Sequence, residues 1–301
     1  MNRRLAWLAI LALASAAAAA PPQQGKKLKV YVAVDMEGVV GTVTSDQLGP
    51  AGFEYARFRE FMTREALAAV NAAKESGATE ILVADSHGNG ENLLIEMFPA
   101  DVRVIRSWPR HQGMMAGLDS TFDAAIFIGY HASTNNLGGV RAHTFSSARI
   151  TRVAINGKTV SEGAWGAAIA GHYGVPVVMM SGDDAAIAEV RAVVGDIEAA
   201  ETKRALSFHS ANTLTPAASY ELIARKVKAA LARLKDFKPY RVESPLSIEI
   251  GFKHYTPVEM LAWLKMFERV DSHTIRFRAR DMLEASDIEN FITSYNFALE
   301  P

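Results

Sequence analysis

Three stretches of this sequence run from an apolar, β-rich segment directly into side chains that bind metals. Leu28-Lys29-Val30-Tyr31-Val32-Ala33-Val34 continues into Asp35-Met36-Glu37-Gly38. Glu80-Ile81-Leu82-Val83-Ala84 continues into Asp85-Ser86-His87-Gly88, and the run 124–128 into Gly129-Tyr130-His131. Carboxylates and imidazoles are ligands that zinc and related divalent ions accept. Asp35 and Glu37, two residues apart, project to the same side if the strand continues through them. Burying both without a counter-charge is costly, and the three strand-end segments contain no Lys or Arg. A bound cation is the natural compensation. At a single position the plainer reading is a hydrogen-bonded structural residue. The same chemistry at three strand ends favours a metal site containing Asp35, Glu37, His87 and His131. Asp85 then supports a ligand imidazole by hydrogen bonding, or it is a turn residue.

Such a site needs its strands side by side, because ligands of open α/β sheets lie beyond the carboxyl ends of the strands. The pattern between the strands supplies helices. Phe58, Met62, Ala66, Ala69, Val70 and Ala73 recur at three- and four-residue steps, which predicts a helix over 53–76 with Gly77 as its C-terminal cap. Further strands are expected at 102–105, 147–155 and 176–180, with a hairpin turn at Asn156-Gly157. A helix is expected from Ser161 or Glu162 to Tyr173, closed by Gly174, and another capped by Asp183 or Asp184. Alternating strands and helices imply an α/β three-layer sandwich with a largely parallel or mixed central sheet. Beyond it the expected order is helix 216–234, strand 244–252, helix 256–267, strand 273–279 and a helix from 281. This reads as a smaller α+β C-terminal portion. The expected division is 28–205 for the metal-binding catalytic domain and 206–301 for the smaller portion.

Composition narrows the function. Arg3 and Arg4, the apolar run from Leu5 to Leu13 and the alanine tract ending at Ala20 read as a signal peptide over 1–20. A proline-led polar spacer, 21–27, follows. The apolar run is too short for a membrane anchor, which needs about 20 residues, so the expectation is an exported protein, periplasmic or secreted, off the membrane once the leader is removed. Losing the two arginines takes the formal charge from −1 to −3. That is no nucleic-acid footprint, which requires a basic excess. With no cysteine, no disulfide framework holds the fold.

Taken in order, Val34-Asp35-Met36-Glu37-Gly38, Asp85-Ser86-His87-Gly88, Gly129-Tyr130-His131-Ala132, Ala142-His143-Thr144 and Ser161-Glu162-Gly163 resemble the D-aminopeptidase (DppA-type) zinc metallopeptidase family. Val175-Pro176-Val177, Ser181-Gly182-Asp183-Asp184 and Arg280-Asp281-Met282-Leu283-Glu284-Ala285 extend the resemblance, which runs from residue 28 to the C-terminus. It implies two zinc ions per subunit, with Asp35 shared and Glu37, His87, His131 and Glu162 as the remaining ligands. It also implies His143 as the catalytic residue, called a nucleophile in the family. Chemistry alone favours His143 as a proton shuttle or a stabiliser of the tetrahedral intermediate. The implied reaction removes an N-terminal, D-configured residue from a short peptide, in a ring-shaped homo-oligomer, a decamer.

Without the family, Glu162 is a first-turn helix acid favoured by the dipole, and His143 an ordinary loop histidine. Asn92 matches the family and reads equally as a cap or turn residue. Arg141 departs from the small or apolar residue of part of the family; it either reaches a peptide carboxylate or faces solvent. His111, His172, His209, His254 and His273 fall outside the motifs, and Trp108, Trp165 and Trp263 read as packing residues. The alternatives are another metal-dependent amide or ester hydrolase, and an exported solute-binding protein without catalysis. The latter needs a cleft but no cluster of metal-type side chains.

Overall fold

The computed structural model describes residues 27–295. The expected signal peptide and residues 21–26 of the spacer lie outside the described residues. In chain order the elements are β1 (Leu28–Val34), α1 (Tyr55–Glu75), β2 (Ala78–Asp85), β3 (Arg103–Ile105), β4 (Ala124–Tyr130), β5 (Ile150–Ile155) and β6 (Lys158–Thr159). There follow α2 (Glu162–His172), β7 (Val177–Asp183), α3 (Asp184–Val194), β8 (Glu198–Ser207), β9 (Ser210–Thr213) and α4 (Pro216–Ala232). β10 (Leu246–Phe252), α5 (Thr256–Leu261), β11 (Phe267–Arg269), β12 (Thr274–Ala279) and α6 (Met282–Ser294) complete the fold.

Seven strands form the main sheet in the order β3-β2-β1-β4-β7-β8-β9, parallel except for β9, which runs antiparallel to β8. The central strands read as unbroken apolar runs because both faces of the sheet are covered. Every residue of β4 and β7 is buried. The two-residue period divides β1 between two cores. Val30, Val32 and Val34 join Ile126 and Ile128 against α1 and α4. Tyr31 and Ala33 join Ala125 and Phe127 on the other face, in a core shared with α2 and with Ile248, Ile250 and Phe277 of the second sheet. That sheet has five antiparallel strands in the order β11-β12-β10-β5-β6.

Helix α1 buries the predicted stripe from Phe58 to Ala73 and ends before Gly77. By contrast α2 is buried from Glu162 to Gly171, with Ser161 capping it by accepting from the Ala164 amide at 3.2 Å. Asp183 caps α3 in the same way, at 2.7 Å from the Ala186 amide. The Asn156-Gly157 turn joins β5 to β6 as its sequence suggests.

Three differences from expectation have physical causes. The helix expected over 256–267 stops at Leu261, and the chain re-enters the second sheet as β11. Strands β8 and β9 are not foreseen, since Glu-Ala-Ala-Glu-Thr-Lys-Arg-Ala-Leu-Ser has weak strand propensity; β8 is fixed by pairing with β7 and β9. The expected division at 205–206 falls inside β8, and the second sheet joins β5 and β6 to β10–β12 across it. Among the described residues no helix is long and apolar enough to cross a membrane.

Candidate metal centre

Pairing of Val34 with Asp85 on one side and with Ile128 on the other sets the ends of β1, β2 and β4 level. The chain after β1 turns tightly across the end of β4. There the Gly38 amide donates to the Gly129 carbonyl at 2.7 Å, and a Cβ on Gly38 would lie 2.0 Å from the Tyr130 carbonyl oxygen. Only a glycine allows this approach. It presses Asp35 and Glu37 toward His131.

All six residues singled out for chemistry converge. His87 Nδ1 lies 3.2 Å from Asp35 Oδ1 and 2.8 Å from Glu37 Oε2. His131 Nε2 lies 3.2 Å from Asp35 Oδ2 and 3.4 Å from Glu162 Oε1. His143 Nε2 lies 3.7 Å from Glu162 Oε1 and 3.9 Å from Glu37 Oε1. The His131 and His143 rings stack with centroids 4.0 Å apart. Each imidazole turns its other nitrogen to a main-chain carbonyl: His87 Nε2 to Leu48 at 2.7 Å, His131 Nδ1 to Ala132 at 3.0 Å, His143 Nδ1 to Arg141 at 2.7 Å. A carbonyl only accepts, so it fixes a proton on the nitrogen facing it, which leaves the other nitrogen, turned toward the carboxylates, able to offer its lone pair to a cation held among them.

Asp35, Glu37, His87, His131 and Glu162 are buried, and His143 is nearly so. Burial, then the charge of Glu37, raise the Asp35 carboxyl above its ordinary range. Burial also opposes ionisation of Glu37, but His87 overrides it and holds that carboxyl well below the usual value. Glu162 is likewise lowered against its burial, chiefly by His131. Burial works against charge on His87 and His131, yet Glu37 and Asp35 raise the first and Glu162 and Asp35 the second. Burial and the neighbouring His131 lower His143.

Three carboxylates in one buried place thus call for positive charge, and among the described residues no Lys or Arg forms an ion pair with them. Asp35 Oδ2, Glu37 Oε2 and His131 Nε2 are buried without an aligned hydrogen bond, although the first and last are 3.2 Å apart. Asp35, Glu37 and His131 bring one ligand atom each within 4.8 Å of one another, as do His131, His143 and Glu162. Nitrogen and oxygen donors of this kind fit zinc.

Support for the cluster comes partly from residues the sequence did not single out. Lys203 on β8 is buried and donates to the carbonyls of Glu37, Val39 (3.0 Å) and Thr42 (2.5 Å), clamping the loop that carries Glu37. Glu65 on α1 accepts from the Val40 amide of that loop at 3.0 Å. Asp183 accepts from the Val140 amide at 2.8 Å and so anchors the segment before His143, while the Phe145 amide after it donates to Glu162 at 2.6 Å. Asp85 does not hold an imidazole. It accepts from the amides of Asn92 and Leu93 and from Asn92 Nδ2, which also donates to the His87 carbonyl at 2.6 Å. Asp85 and Asn92 together shape the loop that presents His87.

The cluster opens into a cavity of about 410 Å³ whose lining includes Trp108 and Trp165. Trp165 is therefore both a core residue and a wall of the site, whereas Trp263 is 77% exposed and is no packing residue of this chain. Arg141 is not among the residues lining the cavity; its guanidinium lies 5.2 Å from the centre of the Phe208 ring.

A parallel α/β sheet with this cluster beyond its carboxyl edge and a substrate-sized cavity above it defines a metal-dependent hydrolase. The chain belongs to the D-aminopeptidase family, whose pattern matches residues 28–291. It is 33% identical over 259 residues to a D-aminopeptidase of Bacillus subtilis strain 168, an alignment covering 86% of this chain and 94% of the relative. Its fold superposes with a TM-score of 0.85 and 32% identity on the Zn-dependent D-aminopeptidase DppA from Bacillus subtilis, described as a self-compartmentalizing protease. That match covers 88% of this chain and 97% of the other.

Proposed function

We propose that this chain, a metal-dependent aminopeptidase, removes a D-configured N-terminal residue from short peptides. In this reading it uses two zinc ions per subunit held by Asp35, Glu37, His87, His131 and Glu162, with His143 as the catalytic residue. One observation carries the reading. Three carboxylates and three histidines from separate stretches of chain meet in one buried place, and each imidazole's inward nitrogen is set by a carbonyl behind it. When bound, zinc supplies Lewis acidity toward the peptide carbonyl and a water that is nucleophilic at neutral pH.

His143 suits proton transfer. Its Nδ1–H is held by the Arg141 carbonyl, so Nε2 takes up and returns the proton. Burial, then the neighbouring His131, lower the imidazole from its ordinary value, the direction that favours the neutral form a general base requires. Self-association is supported by the exposed apolar surface of Tyr255, Met260, Trp263, Leu264 and Met266 around α5, and a ring-shaped homo-oligomer, a decamer, remains the proposal. The leader pattern of residues 1–20 supports export.

The test is metal analysis of the purified mature chain combined with hydrolysis of D- and L-alanyl dipeptides. Two equivalents of zinc and faster cleavage of the D-peptide are expected. A folded protein that holds less than one equivalent and cleaves neither dipeptide would overturn the reading in favour of a binding protein.

A further inference from the structure

We propose that Glu289 receives the free α-ammonium group of the peptide substrate. The inference rests on the aminopeptidase reading and adds to it the residue that recognises a chain's N-terminus. Helix α6 buries Met282, Ala285, Ser286 and Glu289, the i, i+3, i+4, i+7 stripe by which a helix meets a core. Its last member is an acid, only 3% exposed. It does not end in that core: Glu289 lines the same cavity as Asp35, Glu37, His143 and Glu162.

The carboxyl group is incompletely satisfied. Glu289 Oε1 is buried with no hydrogen-bond partner among the described residues. Arg149, which lines the same cavity, is tied elsewhere, donating from Nη2 to the Thr293 carbonyl at 2.8 Å and from Nε to Ser146 Oγ at 3.3 Å. It forms no ion pair with Glu289 among the described residues. A buried, half-satisfied carboxyl group is expensive to keep, so a ligand that completes it is the economical explanation. Burial pushes this carboxyl up to about 8 even though the Thr293 hydroxyl and the charge of Arg149 act to lower it, and a cation placed against it opposes the effect of burial.

Two kinds of cation fit a carboxylate. A metal ion needs several donors converging, and among the described residues Glu289 forms no close contact with the carboxylates and imidazoles of the cluster, as His87 does with Asp35 and Glu37. An ammonium needs one good carboxylate acceptor and brings its own donors. An aminopeptidase must also tell the first residue of a peptide from an internal one. A buried acid that stays unpaired when the amine is missing provides that discrimination.

The experiment uses the zinc-loaded enzyme and Glu289→Gln, which keeps the shape and removes the charge. The substrates are D-alanyl p-nitroanilide and propanoyl p-nitroanilide, which differ only in the amine. The variant should raise KM for the D-alanyl substrate roughly 10- to 100-fold, the value of one charge-assisted hydrogen bond, with a smaller change in kcat. The propanoyl substrate should lose far less, so the preference for the amine collapses. Zinc content and far-UV circular dichroism confirm that the variant is folded. Unchanged KM, or equal losses on both substrates, would overturn the assignment.

Calorimetric binding of D-alaninol, an amine without a scissile bond, and of propane-1,2-diol needs no turnover and no variant. Equal affinities in the wild type would also overturn it. If the wild type cleaved neither the anilide nor any D-alanyl dipeptide, the aminopeptidase reading itself would fail, and only a preference for D-alaninol that Glu289→Gln abolishes would still report on the acid, since Asp35, Glu37 and Glu162 line the same cavity.

Discussion

Replacing Glu65 by glutamine isolates the effect of one buried acid on the loop that carries Glu37. Glu65 is fully buried; Oε1 accepts from the Val40 amide at 3.0 Å and from Ser219 Oγ at 2.7 Å, and Oε2 has no partner. Burial pushes its carboxyl from 4.5 up to about 7. Between those two values the folded chain retains a proton that the unfolded chain has released, so stability falls as pH rises through the window. Below 4.5 both states are protonated and nothing is lost; above about 7 the whole penalty is felt. At 1.36 kcal/mol per pKa unit the rise corresponds to about 3 kcal/mol. Glu65→Gln mimics the protonated acid at every pH and removes this dependence. Urea unfolding of wild type and variant at about pH 5 and about pH 8, with the same metal loading, reads the difference directly. The variant should gain about 2–3 kcal/mol on the wild type between the two conditions. Stability curves that stay parallel would refute the burial argument; of the other titrating groups, Lys203, lowered to about 8 by burial, feels the charge of Glu65.

The cluster itself makes sharper demands. Asp35→Ala should abolish zinc retention at both positions, as measured by metal analysis after dialysis, and a variant that keeps either ion would rule out a shared carboxylate. His143→Ala should keep its zinc and lose roughly 10²- to 10⁴-fold in kcat; near-wild-type turnover would withdraw the catalytic assignment. Gly38→Ala places a methyl group 2.0 Å from the Tyr130 carbonyl and should cost about 1–3 kcal/mol or more, with loss of zinc as Asp35 and Glu37 move. An unchanged melting temperature would show that the close approach carries no weight.

The legible part of this site is the part that sits on buried parallel strands. Such strands have little choice of composition, so the first polar residues beyond β1, β2 and β4 stand out against Val-Ala-Val, Leu-Val-Ala and Ile-Phe-Ile. Asp35, Glu37, His87 and His131 could be singled out on that contrast alone. Glu162 and His143 could not. Glu162 occupies the first turn of α2, where an acid is ordinary, and its role depends on β4 lying beside it in space. His143 lies in a loop whose course is set by Asp183 and Glu162 from elsewhere in the chain. Sequence spacing holds no record of either encounter. Only the family pattern supplied them.

Lys203 and Glu289 were missed for a different reason, and here a usable signal existed. Lys203 sits in a strand too polar to be recognised as one, so its burial could not be anticipated. Glu289 lies on the stripe of Met282, Ala285 and Ser286 in a helix that was anticipated, at a position where the period calls for an apolar side chain. A charge at such a position is a conflict between local pattern and fold, and conflicts of that kind are retained where function compensates for them. The same reasoning applies to Glu65, which interrupts the stripe of α1 next to Ala66 and ends against the Glu37 loop. The buried acids Glu65, Asp85, Asp183 and Glu289 lead to one cavity or to the separate loops that carry Glu37, His87 and His143. A survey of acids at core positions of the predicted helices would therefore have reached the α6 wall of the site without any knowledge of the three-dimensional structure.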